Sequence, residues 1–294
     1  MFAILGATGK VGRATIRVLL AHGYPVRAIV RDVAKAAEFE AAGCEVAVAH
    51  LGDKASLEAA FSGAVVVQVI CPVLARSSDA FAEMTGAVDT LADALAASRA
   101  PSIMAISDYG AELAEGTGVT LVFHHLEKRL RKIDAALTFL RSAEHMQNVA
   151  RFAGYAAETG NFPTMHQPLT KLYPTVSADD VGVISAELLM ETRASAHPRI
   201  VHVEGPCRYT PLDVAEALGS IVGREVVARE IPRSDWLESL QRAGIGESYA
   251  KLVVELYDAH NAGRIDAEAG RGELRRGTTK LRDAVAGLRK SAGQ

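Results

Sequence analysis

A chain of 294 residues suits one large domain or two unequal ones, and a hydrophobic fraction of 49% supplies a sizeable core and excludes a disordered chain. A formal net charge of -3 with no basic tract gives no reason to expect nucleic acid as a ligand. No apolar run approaches the roughly 20 residues of a membrane span, and the chain enters a core strand at once, so neither membrane nor signal peptide is expected.

Residues 1–5 read as a short buried strand, and Gly6-Ala7-Thr8-Gly9-Lys10-Val11-Gly12 follows directly. An amphipathic helix begins inside that turn, with Val11, Thr15, Val18, Leu19 and His22 on one face at helical spacing. Free backbone N–H groups at a helix N-terminus, together with the helix dipole, form a site for a pyrophosphate. Gly6 permits the tight turn, Gly9 lets the backbone approach the phosphates, and Gly12 lets the helix pack on the strand. The succession predicts dinucleotide binding, with Gly6, Thr8, Gly9, Lys10, Val11 and Gly12 as contacts.

Further strands are predicted at 25–30, 45–49, 64–70, 102–106 and 136–140, separated by helices at about 35–42, 56–61, 79–98 and 125–132. The run at 64–70 is almost wholly apolar, as expected for a strand covered on both faces. This alternation predicts an α/β fold, a doubly wound parallel sheet of Rossmann type. Ligands of such a sheet sit beyond the carboxyl ends of its strands.

The second half changes character. Residues from about 148 to 173 carry Gly, Pro and polar clusters with no strong period. A helix is predicted at 176–190 with Ser177 as N-cap, a strand at 200–203, and a helix at 210–222 with Thr210 as N-cap and Pro211 at its first position. A strand at 225–230 follows, and the remainder, with Trp236, Tyr249 and Tyr257, reads as helices. The predicted division interleaves a dinucleotide-binding part, 1–147 plus about 174–204, with a smaller α/β substrate part, about 148–173 plus 205–294. Cys44, Cys71 and Cys207 are widely spaced and odd in number, which makes neither a disulfide framework nor a zinc pattern. A reducing cytoplasmic setting is expected, with no metal and a monomer or homodimer.

The motifs at 5–12, Val30-Arg31 and Ser107-Asp108-Tyr109-Gly110-Ala111 occur in that order. Leu126-Glu127 with Leu130, Thr138 to Asn148, Val176-Ser177 with Asp180-Val181-Gly182, and Glu204-Gly205-Pro206 continue the series, which ends at Gly244 and Leu256-Tyr257 with Asn261-Ala262-Gly263. Taken together the series resembles the NmrA-like branch of the atypical short-chain dehydrogenase/reductases across nearly the whole chain. That group contains NADPH-dependent quinone, azo-dye, triphenylmethane and isoflavone-type reductases, and redox-sensing regulators that bind dinucleotide without turnover. The resemblance implies NADPH-dependent hydride transfer to an apolar, conjugated aromatic small molecule. The alternative it leaves open is a non-catalytic dinucleotide sensor.

Arg31 follows the second strand, where a guanidinium can hold a 2′-phosphate, so NADP is the expected cofactor. Asp32 beside it is the residue type that accepts a ribose 2′-hydroxyl, which leaves NAD open. By register, His50 stands where many relatives place an acidic residue near the adenine; it either stacks there or is solvated, and Leu51 lines the adenine pocket. Ile70, Cys71 and Pro72 are expected to border the ribose or nicotinamide, with Cys71 an inert buried thiol. Ser107 and Tyr109 end the fifth strand at the reactive end of the cofactor. The wider superfamily pairs a Tyr with a Lys four residues on, but here that residue is Leu113, so Tyr109 is either a wall residue or an unsupported acid. His124 and His125 precede the Glu127 helix, where relatives often place a Lys or His toward the nicotinamide. They are the candidate proton donors, with a satisfied helix-start histidine as the alternative. The loop after the sixth strand is expected to shape the substrate pocket through Met146 and Asn148.

Overall fold

The computed structural model describes residues 1–71, 73–191 and 197–291. The strands are β1 (Phe2–Leu5), β2 (Val26–Val30), β3 (Glu45–Val48), β4 (Val66–Ile70), β5 (Ser102–Asp108), β6 (Ala136–Ser142), β7 (Glu144–His145), β8 (Asn161–Thr164), β9 (Thr175–Val176), β10 (Arg199–Glu204), β11 (Val227–Glu230) and β12 (Glu273–Arg276). The α-helices are α1 (Lys10–Ala21), α2 (Ala36–Ala41), α3 (Lys54–Phe61), α4 (Ala80–Ser98), α5 (Thr120–Leu130), α6 (Ala153–Thr159), α7 (Ala178–Met190), α8 (Pro211–Val222), α9 (Trp236–Arg242), α10 (Glu247–Asn261) and α11 (Leu281–Ser291). Eight strands form one sheet in the order β12-β10-β6-β5-β4-β1-β2-β3, and every pairing in it is parallel.

The chain runs outward from β1 through β2 to β3, then returns to β4 on the other side of β1 and continues through β5 and β6. The reversal lies between β1 and β4, which is where a doubly wound sheet opens a crevice for a ligand. Each face buries its own apolar layer. Leu57, Met84, Leu91, Leu95 and Leu126 from α3, α4 and α5 pack on one side. Val11, Ile16, Leu19, Val181 and Leu188 from α1 and α7 pack on the other. The crossing of α1 with α7 is close because both helices are small there: a Cβ on Gly182 would meet the Val11 carbonyl at 2.6 Å. Thr15 Oγ1 lies 3.0 Å from the Val11 carbonyl and 3.2 Å from that of Gly182, so its hydroxyl bonds within this contact. His22, predicted on the buried stripe of α1, is exposed; α1 ends at Ala21, one residue short of it.

A second, smaller assembly packs β8 against β11 in parallel and covers them with α6, α8 and α11 through Phe162, Leu218, Ile221 and Val285. Helix α8 starts as predicted. Thr210 Oγ1 accepts from the Asp213 N–H at 3.2 Å, Asp213 accepts from the Thr210 N–H at 2.7 Å, and Pro211 opens the helix. Two differences matter for the site. Helix α5 begins at Thr120, five residues before its predicted start, so His124 and His125 lie inside it. Residues 273–276, predicted helical and assigned to the smaller part, instead form β12 at the edge of the large sheet beside β10. β12 thus lies beyond the boundary at 205 yet belongs to the main sheet. Among the described residues no helix is long and apolar enough to cross a membrane.

Candidate functional site

The turn after β1 has the geometry its glycines require. Gly6 adopts φ +78°, a left-handed conformation that side-chain-bearing residues rarely take. A Cβ on Gly12 would collide with the Gly6 carbonyl, so only glycine lets α1 start this close to the strand. Gly9 is the N-cap of α1 and makes no side-chain cap, which leaves the first N–H groups of the helix pointing at open space. That space is a cleft of ≈ 290 Å³ between β1 and β4, lined by Gly6, Gly9, Lys10, Val11 and Gly12 on one wall and by Gln68, Ile70, His145 and Asn148 on the other. Gln68 is buried in the middle of β4, and its Oε1 has no hydrogen-bond partner among the described residues. An unsatisfied amide oxygen and a row of free N–H groups in one cleft fit a ligand that supplies both donors and acceptors, as a dinucleotide does.

A second helix N-terminus reaches the same cleft. Gln147 caps α7 through its side-chain amide: Oε1 accepts from the Ala178 N–H at 2.9 Å and Nε2 donates to Ser177 Oγ at 2.9 Å. The sequence points to Ser177 as the cap. Ser177 does occupy that position, but its hydroxyl is taken by Gln147 and makes no cap bond.

Beyond Ile70, His145 and Asn148 the cleft opens into a cavity of ≈ 390 Å³, over the carboxyl ends of β4, β5 and β6. Its lining is mostly apolar and includes Phe123, Tyr249, Val253, Leu256 and Tyr257, with Asp108, Glu144, His145, Arg151 and His260 among its ionisable groups. Asp108 lies in this cavity, its carboxyl pushed up to about 7 by burial, while the Thr120 hydroxyl donates to it at 2.7 Å. Asn148, Glu144 and Tyr257 then lead to an outer groove of ≈ 630 Å³ lined by Phe152, Tyr155, Phe162 and Tyr173. One continuous path thus runs from the glycine turn to an aromatic groove. Among the described residues no group of His, Cys, Asp or Glu is arranged to hold a metal ion.

The predicted residues divide into those that meet on this path and those that do not. Gly6, Gly9, Lys10, Val11, Gly12, Ile70 and Asn148 line the cleft. Cys71, Ser107 and Tyr109 line the cavity. Burial pushes the Cys71 thiol well up, which suits an inert wall residue. The Ser107 hydroxyl donates to Glu127 at 2.7 Å. Tyr109 is buried, its ring edge-on to His202 at 5.5 Å, and its hydroxyl has no hydrogen-bond partner among the described residues. Burial and the nearby Glu204 push that phenol up, which makes it a poor acid. Thr8, Arg31, His50 and Leu51 lie outside the lining of these cavities. Arg31 and His50 are exposed just past the ends of β2 and β3. Asp32 is committed elsewhere: its carboxylate accepts from the Ala34 N–H at 2.9 Å and caps a short 3-10 helix. Pro72 lies outside the described residues.

The expectation that His124 or His125 faces the nicotinamide is corrected by the helix they stand on. With α5 starting at Thr120, it is Phe123 that lines the cavity. His124 Nδ1 is bonded to the Ala111 carbonyl at 2.9 Å, and His125 Nε2 to Asp89 of α4 at 2.7 Å. Met146 is corrected too. Its side chain is buried in the core of the smaller assembly, near Gly205, and lines none of these cavities. The loop after β6 instead presents Glu144, His145 and Asn148 to the path.

A parallel doubly wound sheet with a glycine turn at its reversal point defines a dinucleotide-binding α/β protein. The chain belongs to the NmrA-like family, whose family model matches residues 1–275. It is 27% identical over 261 residues to the NAD(P)H azoreductase of Xenophilus azovorans, covering 87% of this chain and 86% of that protein. It is 24% identical over 259 residues to quinone oxidoreductase 2 of Escherichia coli K12, with 87% and 86% covered. The structure of Citrobacter sp. triphenylmethane reductase complexed with NADP(H) superposes with a TM-score of 0.80 at 21% identity, covering 98% of this chain and 100% of that one.

Proposed function

We propose that this protein is an NADPH-dependent reductase that passes a hydride to an apolar, conjugated aromatic acceptor of quinone or azo type. The observation that carries the reading is the continuous path from the glycine turn into an apolar cavity and an aromatic groove. When bound, the reduced nicotinamide supplies the hydride. The residues of this chain do the rest. The turn at 6–12 and the N-terminus of α1 hold the pyrophosphate, and the exposed Arg31 holds the 2′-phosphate. Ile70, His145 and Asn148 border the junction where hydride donor and acceptor meet. Phe123, Leu256 and Tyr257 keep water from the reacting faces and orient a flat ring by contact. The relatives named for azo and quinone reduction support this acceptor class. Three free thiols, two of them buried, suit a reducing cytoplasmic setting.

The test follows the disappearance of reduced nicotinamide with a panel of quinones and azo dyes, using NADPH and NADH in parallel. Turnover with NADPH is expected. Arg31→Ala is expected to weaken NADPH binding by about 1.5–3 kcal/mol, the scale of a hydrogen bond to a charged group, and to leave NADH unchanged. Dinucleotide binding without turnover of any acceptor overturns the reductase reading in favour of a sensor. Equal losses for both cofactors overturn the role of Arg31.

A further inference from the structure

The apolar cavity and the outer groove share a wall that includes Glu144, Asn148, Arg151 and Tyr257. Beside Glu144, and also lining the outer groove, stands His166, whose Nε2 lies 2.8 Å from Glu144 Oε2. The His166 ring is stacked on Tyr173 at 3.8 Å and meets Tyr257 edge-on at 4.8 Å. Its backbone is clamped from both sides by one residue of α10: Asn261 Nδ2 donates to the Met165 carbonyl at 2.8 Å, and Asn261 Oδ1 accepts from the Gln167 N–H at 3.0 Å. Thr164 Oγ1 accepts from the His166 N–H at 3.1 Å. An imidazole is thus held rigidly against a carboxylate that faces both the cavity and the groove.

The surroundings keep the Glu144 carboxylate ionised. Burial by itself raises the Glu144 carboxyl, but the hydrogen bond and charge of His166 outweigh it and hold the group down to about 2. His260, whose ring centre is 5.5 Å from that of His166, is pushed down to about 4 by burial and by the charge of His166, so it is neutral near pH 7. His145, at the junction of cleft and cavity, is also lowered by burial. Arg151 from the 3-10 helix at Met146–Phe152 and Asp108 at the end of β5 also act on Glu144, Lys171 acts on the neighbouring His260, Arg242 lines the same groove, and Tyr257 adds a phenol from α10. Of the histidines on this path, His166 is the one paired with a carboxylate.

A quinone or azo group that has taken up a hydride carries a new negative charge on oxygen or nitrogen and needs a proton to become product. We propose that the Glu144–His166 pair is the source of that proton, with Glu144 the catalytic carboxylate that meets the acceptor and relays the proton to it, and His166 the positioning residue beside it from which the proton comes. This rests on the reductase reading above. In the step, the proton on His166 Nε2 passes to the Glu144 carboxylate, and the carboxyl transfers it to the acceptor anion as the new O–H or N–H bond forms. NADPH is then oxidised to NADP⁺, the acceptor is reduced by two electrons, Glu144 is again a carboxylate and His166 is neutral. Water entering through the open groove returns the proton to His166.

The experiment compares wild type with Glu144→Gln, Glu144→Ala and His166→Gln, using a benzoquinone and an azo dye as acceptors. Turnover by Glu144→Gln is expected to fall about 10²-fold or more, the scale of a lost general acid, with NADPH affinity by calorimetry unchanged. His166→Gln is expected to flatten the pH profile of kcat, and added formate is expected to restore turnover to Glu144→Ala in proportion to its concentration. Wild-type kcat and pH profile in folded Glu144→Gln overturn the proposal alone; absence of turnover in the wild type overturns the reductase reading and this proposal with it. A second readout needs no cofactor. Because the folded value of Glu144 lies below its unfolded one, the pair stabilises the protein above about pH 4.5 and ceases to do so as pH falls toward about 2. The urea stability deficit of Glu144→Gln should therefore shrink on acidification through that window. An equal deficit at every pH shows that Glu144 is not held as a charged partner, and overturns the pair as the proton source.

Discussion

Asp108 and Glu144 are both carboxyls on the cavity, yet their surroundings push them in opposite directions. Asp108 has one hydroxyl donor, from Thr120, and burial raises it from 3.8 to about 7. Glu144 has an imidazole against it and stays ionised. The difference has a measurable consequence for Asp108. Between about pH 4 and pH 7 the folded protein keeps a proton that the unfolded chain has released, so stability falls as pH rises through that window. The slope from this one group is at most about 1.4 kcal/mol per pH unit. Asp108→Asn keeps an oxygen that can accept from Thr120 and cannot titrate. Urea unfolding should show the variant gaining on wild type from pH 4 to pH 7 and running parallel to it above. A constant difference over that range would show that Asp108 ionises normally.

At the scale of elements, the end of β6 is tied to three neighbours by one side chain. Arg141 is 1% exposed. Its Nε and Nη2 each donate to Glu127 of α5 at 2.9 Å, and its Nη1 donates to Glu112 at 2.9 Å and to Glu268, in the segment leading to β12, at 2.6 Å. Glu127 also accepts from Ser107 of β5 and from Arg131. This network holds α5 against β5 and β6, so it sets which residues of α5 reach the cavity. Arg141→Ala leaves a buried carboxylate without its main partner and is expected to cost about 3–5 kcal/mol. Arg141→Ala combined with Glu127→Ala removes the stranded charge and should be more stable than the single variant. A double variant that is less stable by the sum of both single losses would show that packing, not charge, is what the network supplies.

At the scale of the molecule, the two assemblies share backbone and cannot separate freely. β12 adds to the large sheet beside β10, and the chain then continues into α11, which packs on α8. Asp180 of α7 accepts from the Thr279 N–H and hydroxyl at 2.8 Å each, which fastens that connection. A single unfolding transition is therefore expected by calorimetry, and NADPH at about 100 times its Kd should stabilise it by about 2.7 kcal/mol. Gly9→Val places a branched side chain where the phosphates must approach and should abolish the shift while leaving the fold. Two transitions, only one of which responds to NADPH, would show that the smaller assembly folds by itself. An undiminished shift in Gly9→Val would remove the dinucleotide from the turn.

Local patterns were enough for the parallel sheet, the glycine turn and the capped start of α8. Each rests on contacts between residues close in sequence: the hydrophobic period, a conformation only glycine adopts, and a hydroxyl three residues from the N–H it accepts. The sequence also marked the loop after β6 as part of the site, but not which of its residues face the path. Glu144, His145 and Asn148 reach the path while Met146 is buried, and that depends on the pairing of β7 with β9 and on the 3-10 helix at Met146–Phe152 that follows it. The start of α5 likewise depends on a distant partner: Thr120 is bonded to Asp108, twelve residues away. β12 has no local signal, because a short charged strand at a sheet edge carries no apolar alternation. The Glu144–His166 pair has no local signal at all. Its members are 22 residues apart, and the His166 backbone is held in place by Asn261, nearly a hundred residues further on. Local sequence determined where a dinucleotide can bind; only tertiary packing decided which groups face its reactive end, because those groups are brought together by contacts that no periodicity records.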